Sequence, residues 1–370
     1  ALVLTDCSVP NLVAAHLNDL YSNAGDEFEE FTDIDSAKKW LNEKITAIEK
    51  NAVASNFEEW AKNNSHQSAL KKEPKNGLQA YYKLDDKKLG NELNPSQKGT
   101  MKRENGAGKE VHLAKGKEGK GVKFTGDTWL DLKKSAVFGR NDAFTVSIWA
   151  NIPANLTDGN ILYQGDGAIL YNWRGYHLKI VDNKLELLMA HTAPGNSITK
   201  ISKTGFPRDK WVNFTVRYDG SSKAKGLSVF LDGKEMPMTT KIDNLYKDIL
   251  FRNGNEPGLQ LGGRWRGKGI KDAVVDEIKV YNRDLSELEI LQLAESEEIK
   301  NIVSKTYASF TVHEKELLQS FYTKSISNKT IRKRKELAKI RKSYVDSVEK
   351  VKEIMTMTES KTPRPTYILD

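Results

Sequence analysis

Cysteine occurs once in the 370 residues, at Cys7, so neither an intrachain disulfide nor a cysteine-based zinc site can form. The haem-attachment pattern C-x-x-C-H is missing, which excludes covalent haem in this chain. No run approaches the roughly 18 apolar residues that a membrane-spanning helix needs. The apolar start, Ala1 to Leu4, is too short for a signal peptide, and Asp6 directly before Cys7 fits poorly with lipid attachment. The six histidines, His16, His66, His112, His177, His191 and His313, are scattered and show no H-x-H or H-x-x-x-H ligand spacing. Aromatic residues are not scarce, at 9%, and apolar residues make up 38%, which argues against disorder and allows a sizeable core. The length suggests two or three domains, or one large domain with appendages.

The net charge of +8 is unevenly placed. From Lys329 to Lys352 ten Lys/Arg stand against Glu336, Asp346 and Glu349. From Asp26 to Glu59 ten acids stand against Lys38, Lys39, Lys44 and Lys50. Opposite charge at the two ends points to solvated or mutually paired helix faces, not to a nucleic-acid surface.

Three regions follow one another. Residues 1–75 read as helical. Asp33 or Asp35 can cap a helix start, and Ile34, Ala37, Leu41, Ile45, Ile48 and Ala52 recur at spacings of three and four. Phe57 and Trp60 continue the stripe, and Lys71 to Gly77 reads as a linker ending in a turn. In residues 76–284 the period changes to two, as in Phe144-Thr-Val-Ser-Ile-Trp149, Val212 to Tyr218, Leu227 to Leu231 and Val275 to Tyr281. Gly, Asn and Asp clusters separate these runs, and Asp232-Gly233 is a strong hairpin signal. Many short strands over this length predict one all-β sandwich. Residues 285–370 are helical again. Ser286 and Glu289 form a capping box, and Leu337, Ile340, Tyr344, Val348, Val351 and Met355 make a long stripe. Thr362-Pro-Arg-Pro365 ends it, with a short strand expected at Thr366 to Leu369. The two stripes bracket the sandwich and predict an antiparallel helix pair, acidic against basic. Its free energy would come chiefly from burying Leu41, Ile45, Ile48, Leu337, Ile340 and Val348.

The middle region resembles the laminin-G-like, concanavalin A-like jelly-roll domains. The likeness lies in six phrases in order: Leu78 to Asp86, Gly121 to Leu130, Phe144 to Ala150, Trp211 to Gly220, Val229 to Lys234 and Val275 to Ser286. It implies a jelly-roll β-sandwich; together with the stripes on either side, the expected fold is mainly β with α-helical flanks, a jelly roll inserted between helices that pair as an antiparallel bundle. The ending Thr362 to Asp370 resembles a motif of large secreted proteins of planctomycetes and related bacteria, which also carry a cytochrome-c-like domain. That likeness implies a piece of a longer protein, secreted, periplasmic or on the bacterial cell surface, with neighbouring domains as partners.

Glycosidases on this jelly roll use carboxylates on one face of one strand, at spacings of two. Asp276 and Glu277 are adjacent and are expected on opposite faces, so hydrolysis is not expected. Trp-Arg-Gly occurs twice, in Asn172 to Gly175 and in Arg264 to Gly267. Trp173, Tyr176 and Trp265 can stack on sugar rings, while Arg174, Arg264 and Arg266 can reach acidic groups, or the same residues can pack within the fold. Laminin-G-like sandwiches often hold one Ca²⁺ near a rim, which makes Asp127 and Asp276 candidate ligands; the alternative is a turn residue and a carboxylate bonded to backbone amides. The expected function is a non-catalytic module binding polysaccharide through a loop rim. Two alternatives stay open: a spacer positioning neighbouring enzymatic or redox domains, and a fragment of an enzyme whose active site lies in the helical flanks.

Overall fold

The alternating runs do form strands. The computed structural model describes residues 2–3, 30–31, 33–51, 57–103, 110–165, 173–252, 256–263 and 269–352. Two short strands, β1 (Leu2–Val3) and β2 (Glu30–Phe31), pair in parallel. The sandwich starts with β3 (Leu78–Tyr82), a small hairpin of β4 (Gly90–Asn91) and β5 (Asn94–Lys98), then β6 (Thr100–Arg103), β7 (His112–Lys115), β8 (Lys120–Lys123) and β9 (Thr128–Asp131). It continues through β10 (Phe144–Asn151), β11 (Gly159–Gly165), β12 (Gly175–Val181), β13 (Lys184–Thr192) and β14 (Asn196–Gly205). Last come β15 (Trp211–Tyr218), β16 (Leu227–Leu231), β17 (Lys234–Glu235), β18 (Met238–Asp243), β19 (Leu259–Leu261) and β20 (Val274–Tyr281).

These strands make two eight-stranded sheets. The first runs β17-β16-β15-β10-β20-β8-β7, with β3 also on β20; the second runs β18-β14-β13-β12-β11-β19-β9-β6. Alternate side chains point inward and fill one core, including Phe144, Val146, Ile148 and Ala150 of β10 and Leu178 and Ile180 of β12. Asp232-Gly233 turns β16 into β17 with both residues at positive φ, 49° and 85°, as a type I′ turn requires. A Cβ on Gly233 would lie 2.6 Å from Leu291 Cδ2, so this hairpin also marks where a flanking helix lies against the sandwich.

The flanks contain α1 (Ile34–Asn51), α2 (Phe57–Lys62) and α3 (His66–Ala69) before the sandwich. After it come α4 (Glu287–Leu293), α5 (Glu297–Ser304), α6 (Val312–Phe321) and α7 (Asn328–Glu349). Asp33 caps α1, accepting from Ser36 N at 2.8 Å and Asp35 N at 3.0 Å. The Ser286–Glu289 capping box forms as the spacing predicts. Short helices, more than the two long ones, join the flanks: Phe57, Ala61 and Leu70 share a core with Leu288, Leu291, Ile299, Ile302, Phe310, Leu318 and Phe321. Among the described residues no helix is long and apolar enough to cross a membrane.

The long helix α7 departs from expectation. It touches α1, but its buried residues are Thr330, Leu337 and Val345, whereas Ile340 and Tyr344 are 50% and 40% exposed. Polar anchors on the sandwich set its rotation. Asp284, fully inside, takes Lys324 Nζ at 2.6 Å and pairs with Arg334. Burial would raise the Asp284 carboxyl, but the two cations outweigh it and hold it well below the usual carboxylate range. Arg341 donates to the Asp219 carbonyl at 2.8 Å, and Lys247 caps the helix end by donating to Val348 O at 3.1 Å. The seam therefore follows residues 330, 334, 337, 341 and 345. Leu41 is half-buried; the side chains of Ile45 and Ile48, and residues 353–370 with the expected final strand, lie outside the described residues, as does Cys7.

Candidate functional site

Helix α4 covers one corner of the outer face of the first sheet, where Phe230 and Tyr281 pack with Leu285, Ile290 and Leu293. The outer face of the second sheet is built differently. Cross-strand register aligns Thr100, Asp131, Gln260, Tyr163, His177, Leu188 and Thr199 in one row. A neighbouring row on the same face aligns Asn160, Lys179, Glu186 and Ile201. The inward partners of these positions, such as Leu130, Leu162, Leu178, Leu187 and Leu261, lie in the core. Side chains that meet in such rows come from strands far apart in sequence.

The polar groups of this face are joined to one another. Tyr163 Oη donates to Gln260 Oε1 at 2.5 Å, and Lys102 pairs with Asp131. Glu186 lies 3.1 Å from His177 Nε2 and 2.9 Å from Lys179 Nζ. Burial would raise the Glu186 carboxyl, but hydrogen bonds and charge from His177 and Lys179 outweigh it and hold it at about 2. Trp173 closes this cluster: Lys179 Nζ lies 5.4 Å from the ring centroid, and the His177 ring meets it edge-on at 6.3 Å. Trp173 is half-buried and has φ 62°, a left-handed conformation that a bulky residue adopts only where its surroundings hold it there. Those surroundings include Gly175, whose φ is 119° and where a Cβ would overlap Gln164 O. The Trp129 indole N–H, on a strand of the same sheet, is buried without an acceptor among the described residues.

The predicted binding residues divide. Trp173 lies at the edge of this face. Arg174 is turned into the protein: it donates from Nη2 to His191 Nε2 at 2.8 Å and from Nε to His191 O at 3.2 Å, and its guanidinium covers Phe251 at 5.2 Å. This fixes the His191 tautomer, with Nδ1–H donating to Asp248 O at 2.5 Å. Tyr176 does not reach a ligand face. It is an inward residue of β12, 2% exposed, its hydroxyl donating to Ala136 O at 2.8 Å. Arg264, Trp265 and Arg266 lie outside the described residues. Tyr163, His177, Lys179, Glu186 and Gln260 were not singled out by sequence. Alternation through Tyr176-His-Leu-Lys-Ile180 marks His177 and Lys179 as outward, but which strands flank them is not written in any one run.

The two candidate metal ligands have different partners. Asp127, with its side chain 35% exposed, accepts from Arg103 Nε at 2.6 Å and Thr125 Oγ1 at 2.7 Å. Asp276 is fully buried on β20 of the first sheet and accepts from the amides of Lys117 at 2.9 Å, Glu118 at 3.1 Å and Glu277 at 3.0 Å. Desolvation outweighs those amides and raises its carboxyl to about 7, with the Glu277 charge adding to the rise. Among the described residues no three His, Cys, Asp or Glu side chains form a group able to hold a metal ion.

The expected placement of Asp276 and Glu277 on opposite faces needs correction. Trp149 pairs with Asp276 and Ser147 with Lys279, so two residues of β20 oppose one of β10. That bulge puts Glu277 at φ 51° and sends its carboxylate to the same outer side, where it accepts from Tyr81 Oη at 2.6 Å and lies 3.7 Å from Lys279 Nζ. The two acids do share a side, but Asp276 has no exposed surface with which to meet a substrate. At the helix–sandwich junction, the buried acids Asp284 and Glu289 pair with Lys324, Arg334 and Arg283 and serve as anchors.

Residues 124–291 match the family model described as the concanavalin A-like lectin/glucanases superfamily. No curated protein matches the chain. Similar solved structures include domain 4 of AbnA, an extracellular arabinanase from Geobacillus stearothermophilus, in complex with arabinotriose. It is 22% identical, with a TM-score of 0.41, and the match covers 59% of this chain and 98% of that one. The binding domain of Paraclostridial Mosquitocidal Protein 1 is 16% identical, TM-score 0.43, with 59% and 52% covered. The binding domain of botulinum neurotoxin serotype G is 12% identical, TM-score 0.42, with 58% and 50% covered. This chain thus spans nearly all of the first and about half of the other two.

Proposed function

Because the sandwich is a concanavalin A-like domain of laminin-G type, we propose that the chain is a non-catalytic module that binds polysaccharide on the outer face of its second sheet, as part of a secreted bacterial protein. The observation that carries this reading is the paired rows of Tyr163, His177, Lys179, Glu186 and Gln260 beside the left-handed Trp173. A sugar ring needs an aromatic platform with fixed hydrogen-bonding groups around it. Trp173 supplies the platform, and the partly exposed Gln260, Lys179 and Glu186 supply donors and acceptors, oriented from beneath by the buried Tyr163 and His177. Calcium enters the proposal through Asp127, where an ion would have to displace Arg103.

The test is a glycan array containing sulfated and uronate polymers, run with calcium and again with EDTA. Trp173→Ala, Tyr163→Phe and Trp265→Ala run beside the native chain. Binding that falls at least about tenfold in Trp173→Ala and measurably in Tyr163→Phe supports the face. Binding unchanged in both variants removes it as the site, and loss in EDTA alone assigns the binding to an ion. A second reading, a spacer, is favoured by the buried anchors Asp284 and Glu289, which fasten the flanks to the sandwich. It is the reading left if no polymer binds.

A further inference from the structure

Helix α7 sorts its cations by direction. Arg334 and Arg341 lie on the seam with the sandwich and are held there by Asp284 and by Asp219 O. At about 100° per residue, Arg332, Lys335, Lys339 and Lys342 fall in one sector, roughly 80° wide, on the side away from Leu337 and Val345. All four are exposed, Arg332 to 73% and Lys342 to 66% of the side chain. Lys350 extends the line beyond the last turn, so from Arg332 it reaches about 27 Å at 1.5 Å per residue.

Internal pairing accounts for the two ends of this stripe, Arg332 and Lys342, but not for its middle. Glu336 meets Arg332 and Lys333, and Asp346 meets Lys342 and Arg252. Lys335 and Lys339 make no ion pair within 4 Å among the described residues, although Glu336 feels the charge of Lys339. The acidic helix α1 touches α7 but leaves these cations in solvent. Like charges three or four residues apart, as at 332/335, 335/339 and 339/342, weaken a helix. The arrangement therefore opposes the stability of the isolated chain.

We propose that this stripe binds a linear polyanion, a sulfated or uronate polysaccharide, at a site separate from the sandwich face. Spaced cations along one straight helix match the regularly spaced anionic groups of such a polymer. The sector carries no aromatic side chain on which bases could stack, because Tyr344, the one aromatic residue of α7, is turned toward Arg140, 5.7 Å from its ring centroid.

Heparin, a sulfated uronate polymer, is the probe. The full chain is eluted from immobilised heparin with a salt gradient, beside the Arg332→Gln/Lys335→Gln/Lys339→Gln/Lys342→Gln variant and Trp173→Ala. The expected result is later elution of the native chain than of the fourfold variant. Affinity of that variant should be at least about tenfold weaker at about 150 mM salt, with the salt slope reduced by about three to four. Lys335→Gln/Lys339→Gln, the milder change, should give about half that slope reduction and guards against a folding defect, read by helical circular dichroism. Co-elution of the fourfold variant with the native chain overturns the assignment. Loss in Trp173→Ala alone moves heparin to the sandwich and overturns it too. A DNA duplex that competes better than heparin at equal charge refutes the polysaccharide and leaves a nucleic-acid surface.

Discussion

Replacing Glu186 by Gln removes one charge from the sandwich face while keeping side-chain length and one acceptor. The carboxylate, 16% exposed, lies between His177 and Lys179 and is held at about 2 against an ordinary 4.5. That gap, at about 1.4 kcal/mol per tenfold, corresponds to about 3 kcal/mol as the upper limit of what the charge contributes at neutral pH. Lys179 keeps 23% of its side chain in solvent, which screens part of the pair. The expected loss in Glu186→Gln is therefore about 1–2 kcal/mol. The sign is fixed by the direction of the shift. A carboxyl whose folded value is depressed stabilises fully above its unfolded value, and that contribution disappears as pH falls from about 4.5 through about 2. Urea unfolding of native and variant chains should thus give midpoints well apart near neutrality that converge in acid. A double-mutant cycle with Lys179→Met should show coupling of about 1 kcal/mol. A native–variant gap that stays constant down to about pH 3 refutes the reasoning, because only titration of this carboxylate can close it.

Two further titrations have opposite signs. His66 is fully buried against Phe310 and Trp60, with Nε2–H donating to Lys305 O at 3.1 Å, and burial lowers its affinity for a proton. Unfolding should therefore become easier as pH drops through about 6.5, and His66→Phe should flatten that dependence, since Gln67 still donates to the same carbonyl at 3.1 Å; a variant as acid-sensitive as the native chain disproves the role. Asp276 is raised to about 7, so its contribution is fullest below about 4 and erodes as pH rises through 7. Relative to Asp276→Asn, which keeps the His66 titration, the native chain should lose melting temperature between about pH 4 and 7, and a native–variant difference that stays constant over that range would contradict the assignment.

The sandwich was legible because its signals are local. Period-two alternation, Asp232-Gly233 and the Ser286–Glu289 box each act within a few residues, and each formed as expected. Errors arose where a distant partner decides. The stripe Leu337–Ile340–Tyr344 is a fair helix pattern, yet Asp284 and Asp219 rotated α7 onto residues 330, 334, 337, 341 and 345. Alternation also misplaced Glu277, because a bulge is set by pairing between β10 and β20 and not by either strand alone. Trp173 could be named from its motif, but Tyr176 is carried into the core by the strand that begins beside it.

The difference between the two outer faces follows from which residues occupy outward positions. On the first sheet Phe230 and Tyr281 form an apolar corner beside outward polar residues such as Ser147, Thr215 and Lys279, and that corner must be covered by something equally apolar. The capping box starts α4 directly after β20, which places Leu285, Ile290 and Leu293 over those rings. On the second sheet the outward positions hold Asp131, Gln260, Tyr163, His177, Lys179 and Glu186, which a helix of leucines would desolvate without replacing their hydrogen bonds. The apolar corner of the first sheet thus draws helix α4, while the outward polar groups of the second sheet are satisfied by one another. Tryptophan at position 173 belongs with the second arrangement: its ring meets a cation and an imidazole, the kind of platform a polar ring can share and an aliphatic helix cannot.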